Sequence, residues 1–141
     1  MSIVERAQVV SGSYRLVAGR VLNRANELFA AKKMSVEDYN KASLIYLSLI
    51  QKAIDINMAA AHAVANGLDV NLDAIEGATK KLGEVSERLA KAARIVELSS
   101  KIVAAAALVV AAIFDPTKVS AGLAAAAVLE VVKTISDDVP E

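Results

Sequence analysis

Between Lys101 and Lys133 the chain reads KIVAAAALVVAAIFDPTKVSAGLAAAAVLEVVK. Inside those lysines its only charges are Asp115, Lys118 and Glu130. A helix that is apolar all round must lie inside a protein or in lipid, so this stretch limits what the chain can fold into more than any other. The polar "DPTK" divides it into two short apolar helices, a helical hairpin over residues 101–133. As a helix, Ile102–Phe114 spans roughly 20 Å, against about 30 Å of bilayer hydrocarbon. Extension upstream meets Lys101 and Glu97 within two turns, and Val119–Leu129 is cut short by Glu130. Neither run is expected to be a standard spanning helix. Deep insertion of the tip would also carry Asp115 and Lys118 into lipid, at about 2.5 to 3.5 kcal/mol each.

The rest of the chain is also helical in pattern, interrupted only at Gly, Pro and Asn/Asp clusters. A first helix is expected over about residues 3–32. Tyr14, Val17, Val21, Ala25 and Leu28 form its buried stripe, and Arg6, Ser13, Arg20 and Glu27 its wet side. If Ser11–Ser13 breaks this helix, residues 1–12 become an arm. Ser35 is placed to cap a second helix, with Glu37 and Asp38 in its first turn and Gly67 beyond its end. Its polar stripe is Lys41, Ser48, Asp55 and His62; the remaining positions are nearly all apolar, which implies cover on more than one side. A third helix is expected to start at Asp73, where "DAIE" has capping-box spacing. From Ile75 its apolar positions alternate three and four through Leu82, Leu89, Val96, Val103 and Val110 to Ile113. That predicts one unbroken rod to Phe114, about 60 Å long, laced by Glu84–Arg88, Glu87–Lys91 and Glu97–Lys101 pairs. Pro116 then opens a fourth helix running to about Ser136.

The expectation is therefore an all-α single domain over residues 1–141: an antiparallel four-helix bundle with one long third helix and an apolar C-terminal hairpin. At this length one core is the rule. About a fifth of the residues are alanine and only 4% are aromatic, so the core must be built from small side chains on closely approaching helices. Ala107 with Ala111, and Gly122 with Ala126, are small-xxx-small pairs suited to such an approach. Zero net charge argues against nucleic acid as a partner. The absence of cysteine removes disulfide and thiolate chemistry. "MSIVERAQVVSGSYRLVAG" has no basic n-region, which points to a cytoplasmic protein or to leaderless export.

Catalytic chemistry finds little footing. His62 is the only histidine and has no orienting partner or nucleophile at hand. "DVNLDAIEGATK" opens like a calcium loop with Asp69, Asn71 and Asp73, then places Ala74 where Gly belongs and Lys80 where the bidentate Glu belongs. The six glycines are scattered, so there is no phosphate loop. No enzyme, cofactor or metal is expected. Glu130, within "AAAAVLEVVK", would be a proton-sensitive switch if buried and a rim carboxylate beside Lys133 if not.

What remains is association. The expected interaction face comprises Val103, Ala107, Val110, Ala111, Phe114, Gly122, Leu123, Ala126 and Leu129. Copies of this alanine-rich hairpin would meet each other in a homo-oligomer, or it would meet a helical protein partner, as in an accessory, adaptor or immunity-type protein of a bacterial or phage system. A bundle whose charged helices lead into an apolar hairpin also resembles, over the last 70 residues or so and in layout alone, the α-helical pore-forming toxins. That resemblance implies the alternative: a membrane-active protein, soluble first, that later exposes the hairpin to lipid.

Overall fold

Ser2 caps the first helix, α1 (Ile3–Ala30). Its hydroxyl accepts from the Glu5 amide, and the Glu5 carboxylate accepts from the Ser2 amide. The computed structural model describes residues 1–141, and α1 runs through Ser11–Ser13 without a break. Ser11 turns inward there and donates to the Gln8 carbonyl and to Asn57 Oδ1 on the second helix. So there is no N-terminal arm; the hydroxyl that could have broken the helix is used to join it to its neighbour.

Ser35 caps α2 (Val36–Ala65) by accepting from the Asp38 amide at 3.1 Å. Gly67, at φ 63, ends it with paired bonds from the Gly67 amide to Val64 and from the Leu68 amide to Ala63. The same pair of bonds closes α1, from Lys32 to Phe29 and from Lys33 to Leu28.

The expected rod from Asp73 to Phe114 does not exist. It is divided into α3 (Asp73–Val85), a 3-10 turn (Ser86–Lys91), a joint at Ala92–Arg94 and α4 (Ile95–Phe114). Two arginines of α1 hold the break. Arg20 donates to the Gly83 carbonyl and Ser86 Oγ, and Arg24 Nε donates to the Ala92 carbonyl at 2.8 Å, where the backbone is extended at ψ 130. Carbonyls that a continuing helix would satisfy internally are instead satisfied by side chains. Length supplies the driving force. A 60 Å rod would overhang α1 and α2, which are about 42 and 45 Å long, and its overhang would be the part that is apolar all round. Folding back at residue 92 covers much of that surface.

The break also shifts the buried stripe. In α3 and the 3-10 turn it is Ile75, Ala78, Leu82, Val85 and Leu89; in α4 it is a wider band of Ile95, Leu98, Ser99, Ile102, Ala105, Ala106, Val109, Ala112 and Ile113. The α4 band keeps Ser99, Ala106 and Ile113 of the continuation and widens toward the residues one position earlier, so the expected Val96, Val103 and Val110 become half-buried edges of the core. The expected Glu84–Arg88 and Glu87–Lys91 pairs do not form, because the 3-10 turn changes the spacing that i,i+4 pairing needs. Arg88 reaches Glu141, Glu87 faces Arg20 at 3.9 Å, and Glu97 pairs with Arg94 in place of Lys101.

Thr117 caps α5 (Lys118–Asp138), exchanging side-chain and backbone bonds with Ser120. There are thus five α-helices, not four, and they alternate in direction along the chain. Round the bundle the order is α1, α2, α4, α5, α3 and back to α1. Arg6 on Asp73 and Glu76, and Arg20 on Ser86, align α1 and α3 in the same direction. The His62–Phe114 stack does the same for the C-terminal ends of α2 and α4. The arrangement is therefore not purely antiparallel. One core joins all five helices, and Tyr14 is among its largest fully buried side chains.

Candidate functional site: an uncharged outer side

The charges are unevenly shared among the helices. α1, α3 and the 3-10 turn carry most of the ion pairs, with Arg6, Arg20 and Arg88 each half-buried and each bound to a carboxylate. From Ile102 to Phe114 in α4 and from Val119 to Leu129 in α5 there is no charged residue at all, and in α2 none from Leu44 to Gln51 or from Ile56 to Ala65. These three helices are neighbours in the order α2, α4, α5.

Their outward positions are apolar. On α4 they are Ala104, Ala107, Leu108, Ala111 and Phe114; on α5, Val119, Gly122, Leu123, Ala126 and Leu129. Phe114, Val119 and Leu123 are 53%, 72% and 62% exposed. Most of the expected interaction face therefore lies at the surface: Ala107, Ala111, Phe114, Gly122, Leu123, Ala126 and Leu129. Val103 and Val110 do not; they pack against the core.

The small-xxx-small pairs have a different place from the one expected. Ala107, Ala111, Gly122 and Ala126 are exposed, and a Cβ at Gly122 would meet nothing within 4 Å. The small residues turned into the bundle are Ala105, Ala106 and Ala112 on α4 with Ala124 and Ala125 on α5. Apolarity on every side of these helices left the inward side undetermined from sequence. Glu130 is exposed at the end of the α5 stripe, so it lacks the burial that a proton-sensitive switch needs.

α2 was expected to be wrapped on more than one side, and it is not. Leu44, Leu47 and Met58 are each about 60% exposed. Their spacing was the available signal for an outward stripe. His62 is less open than its polar stripe implied. Its ring stacks on Phe114 at 4.2 Å between centroids, with Nδ1 shut away and unpartnered. Tyr39 and Tyr46 are half-buried; Tyr39 stacks on Phe29 and donates to Asn26. In the loop that opens like a calcium site, Asn71 accepts from the Asp73 amide and Asp73 pairs with Arg6. No three His, Asp or Glu side chains gather as metal ligands.

The core holds one shifted group. Burial pushes the Tyr14 phenol up to about 12, with Thr79 on α3 as the hydrogen-bonding neighbour that partly offsets the burial. Both hydroxyls are closed to water, and neither has a partner at full hydrogen-bond geometry.

By length and composition α2, α4 and α5 are each able to cross a membrane. This revises the length estimate made from the uncharged runs alone: α4 is 20 residues long, and Glu97 and Lys101 sit in its first two turns, where a spanning helix can keep them at the interface. Only 28% of the most apolar window of α2 or α5, and 44% of that of α4, is buried within the chain. The apolar character of these helices is thus directed outward as much as inward. Comparisons of the chain with protein-family models, with curated proteins and with solved structures find no match.

Proposed function

We propose that this chain is a non-catalytic helical protein that works by association, covering the outer side of its α4–α5 hairpin with another protein surface. A second copy or a helical partner fits, as in an accessory, adaptor or immunity-type protein. The observation that carries the reading is the uncharged outer side itself. Contiguous exposed apolar surface of this kind marks an interaction site in a soluble protein, and it lies on ordered helices, where a partner loses little entropy to loop ordering. The decisive measurement is solution mass by light scattering, with and without anionic liposomes. A defined oligomer, or a monomer that forms a stoichiometric complex with a helical partner, and that ignores lipid in either case, supports the proposal.

A second reading is favoured by one specific observation: the three helices able to cross a membrane are adjacent. In it the chain is membrane-active, and the α4–α5 hairpin leaves the charged α1–α3 side to enter lipid. A monomer that binds vesicles and releases a trapped dye in the same measurement would overturn the first reading in favour of this one.

A further inference from the structure

The outward residues of α2 form a stripe of a different kind from those of α4 and α5. Leu44, Leu47, Gln51, Ile54, Met58 and Ala61 are all exposed and alternate three and four along the helix. One edge of the stripe is polar, Lys41, Ser48 and Asp55; the other alternates Ser43 and Asn57 with the apolar Val36, Ile50 and Val64. A lipid-facing helix needs a broad apolar surface, whereas a strict alternation bordered by a charged edge is the narrower seam of a coiled coil.

We infer that this seam pairs antiparallel with α2 of a second copy of the chain, about a two-fold axis at the level of Leu49. The inference stands apart from the hairpin, since α2 lies outside it. In this register Leu44 faces Ile54 of the second copy, Leu47 faces Gln51, and Asn40 faces Met58. A two-fold contact repeats each pair, so all four large apolar residues of the seam are covered. Charge selects the register. The same alignment sets Lys41 beside Asp55 of the second copy at both ends of the contact. Sliding by one heptad puts Lys41 beside His62 and leaves Leu44 against Ala61. A parallel pairing sets Lys41 against Val36 and Asp55 against Ile50, with no opposite charges in contact. On their own helix Lys41 pairs with Glu37 at 3.4 Å, and Asp55 pairs with Lys52 at 3.7 Å and accepts from Gln51 Nε2 at 2.9 Å; surface ion pairs of this kind exchange readily.

The chain has no cysteine, so a single introduced thiol reports the geometry directly. Ser48 is exposed beside the axis; in the antiparallel pair its two copies are offset by only about 3 Å along the helices, whereas two copies of Ala61 are about 36 Å apart. With a short bis-maleimide, Ser48→Cys is expected to give a cross-linked dimer of twice the 14.7 kDa chain mass, and Ala61→Cys none. Cross-linking of Ala61→Cys, or of neither variant, overturns the inference; the latter is the result expected if the seam serves another protein. Lys41→Asp and Asp55→Lys are each expected to weaken the dimer about three- to ten-fold by sedimentation equilibrium, and the double variant to restore it. Failure to restore overturns the register. Adding Ala107→Leu to Ser48→Cys separates this contact from the hairpin: the cross-link is expected to persist, and its loss would overturn the α2 seam as a contact in its own right.

Discussion

Lys32 closes α1 in the left-handed backbone region at φ 60, and it is the only residue other than glycine at positive φ. At the matching position after α2 stands Gly67, at φ 63. The two ends make the same pair of backbone bonds, so a side chain at residue 32 adds strain without adding a bond; for an L-residue that strain is about 1 kcal/mol. Lys32→Gly is therefore expected to raise stability by up to about 1 kcal/mol, read as a higher urea midpoint. Tyr14 sets a different limit. Its phenol is held neutral up to about pH 12 in the fold, against about 10 in the unfolded chain. Below pH 10 both states keep the proton and its contribution is constant. Between 10 and 12 the unfolded chain releases the proton and the fold does not, so stability falls as pH rises, by about 3 kcal/mol over that window. Tyr14→Phe is expected to abolish this alkaline loss, seen by comparing urea midpoints at about pH 9 and about pH 11.5.

At the scale of elements, the ends that the chain encodes locally were legible. The cap at Ser35 and the stop at Gly67 lie where their residue chemistry puts them; the helix starts at Asp73 as expected but without the capping box, since Leu72 is the cap residue, no side chain caps it, and Asp73 and Glu76 bind Arg6 instead. The joint at Ala92–Arg94 was not legible, because nothing local marks it. There is no Gly, Pro or Asn there, and the apolar spacing runs straight through. What ends the helix comes from Arg20 and Arg24, more than sixty residues upstream. Arg24→Ala is expected to destabilise the fold by about 2 kcal/mol, the worth of a hydrogen bond from a charged donor, and to raise amide exchange selectively at residues 86–95. Thr117→Ala, which removes an ordinary cap, is expected to cost about 1 kcal/mol and to fray the first turn of α5 without disturbing the joint. The outer site was legible in part for the same reason. Sequence shows that residues 102–114 and 119–129 avoid charge, but which side of each helix turns inward depends on neighbours placed by that joint.

At the scale of the whole molecule, the exposed positions of Ala107 and Gly122 make the test of assembly cleaner than a core substitution would be. A leucine at either position has open space in the single chain, so helicity and stability are expected to survive. In a protein–protein contact the added bulk costs about 1 to 3 kcal/mol, enough to weaken association about ten-fold or more. Against lipid the same leucines add apolar surface and leave vesicle binding unchanged or stronger. Light scattering and vesicle co-sedimentation of the two variants therefore give opposite signs for the two readings. An oligomer that keeps its mass with both substitutions rules out this side of the hairpin as its contact.

The widened buried band of α4 has a consequence for how firmly that helix is held in azimuth. One residue is about 100° of turn. Valine or alanine stands at the half-buried edge residues 96, 103 and 110 and at the buried residues 105, 106, 109 and 112. Between Ile102 and Ile113 a rotation of that size would exchange valine and alanine for valine, alanine and Leu108 and bring no charge inward. The groups that hold the orientation of α4 stand at its ends: the buried Ile95 and Ile102 at one, where Arg94 also reaches Asp138 of α5, and the buried Ile113 with Phe114 stacked on His62 at the other. The helix is gripped like an axle in two bearings. Wear in the middle would pass unnoticed, whereas loss of either bearing would let it turn.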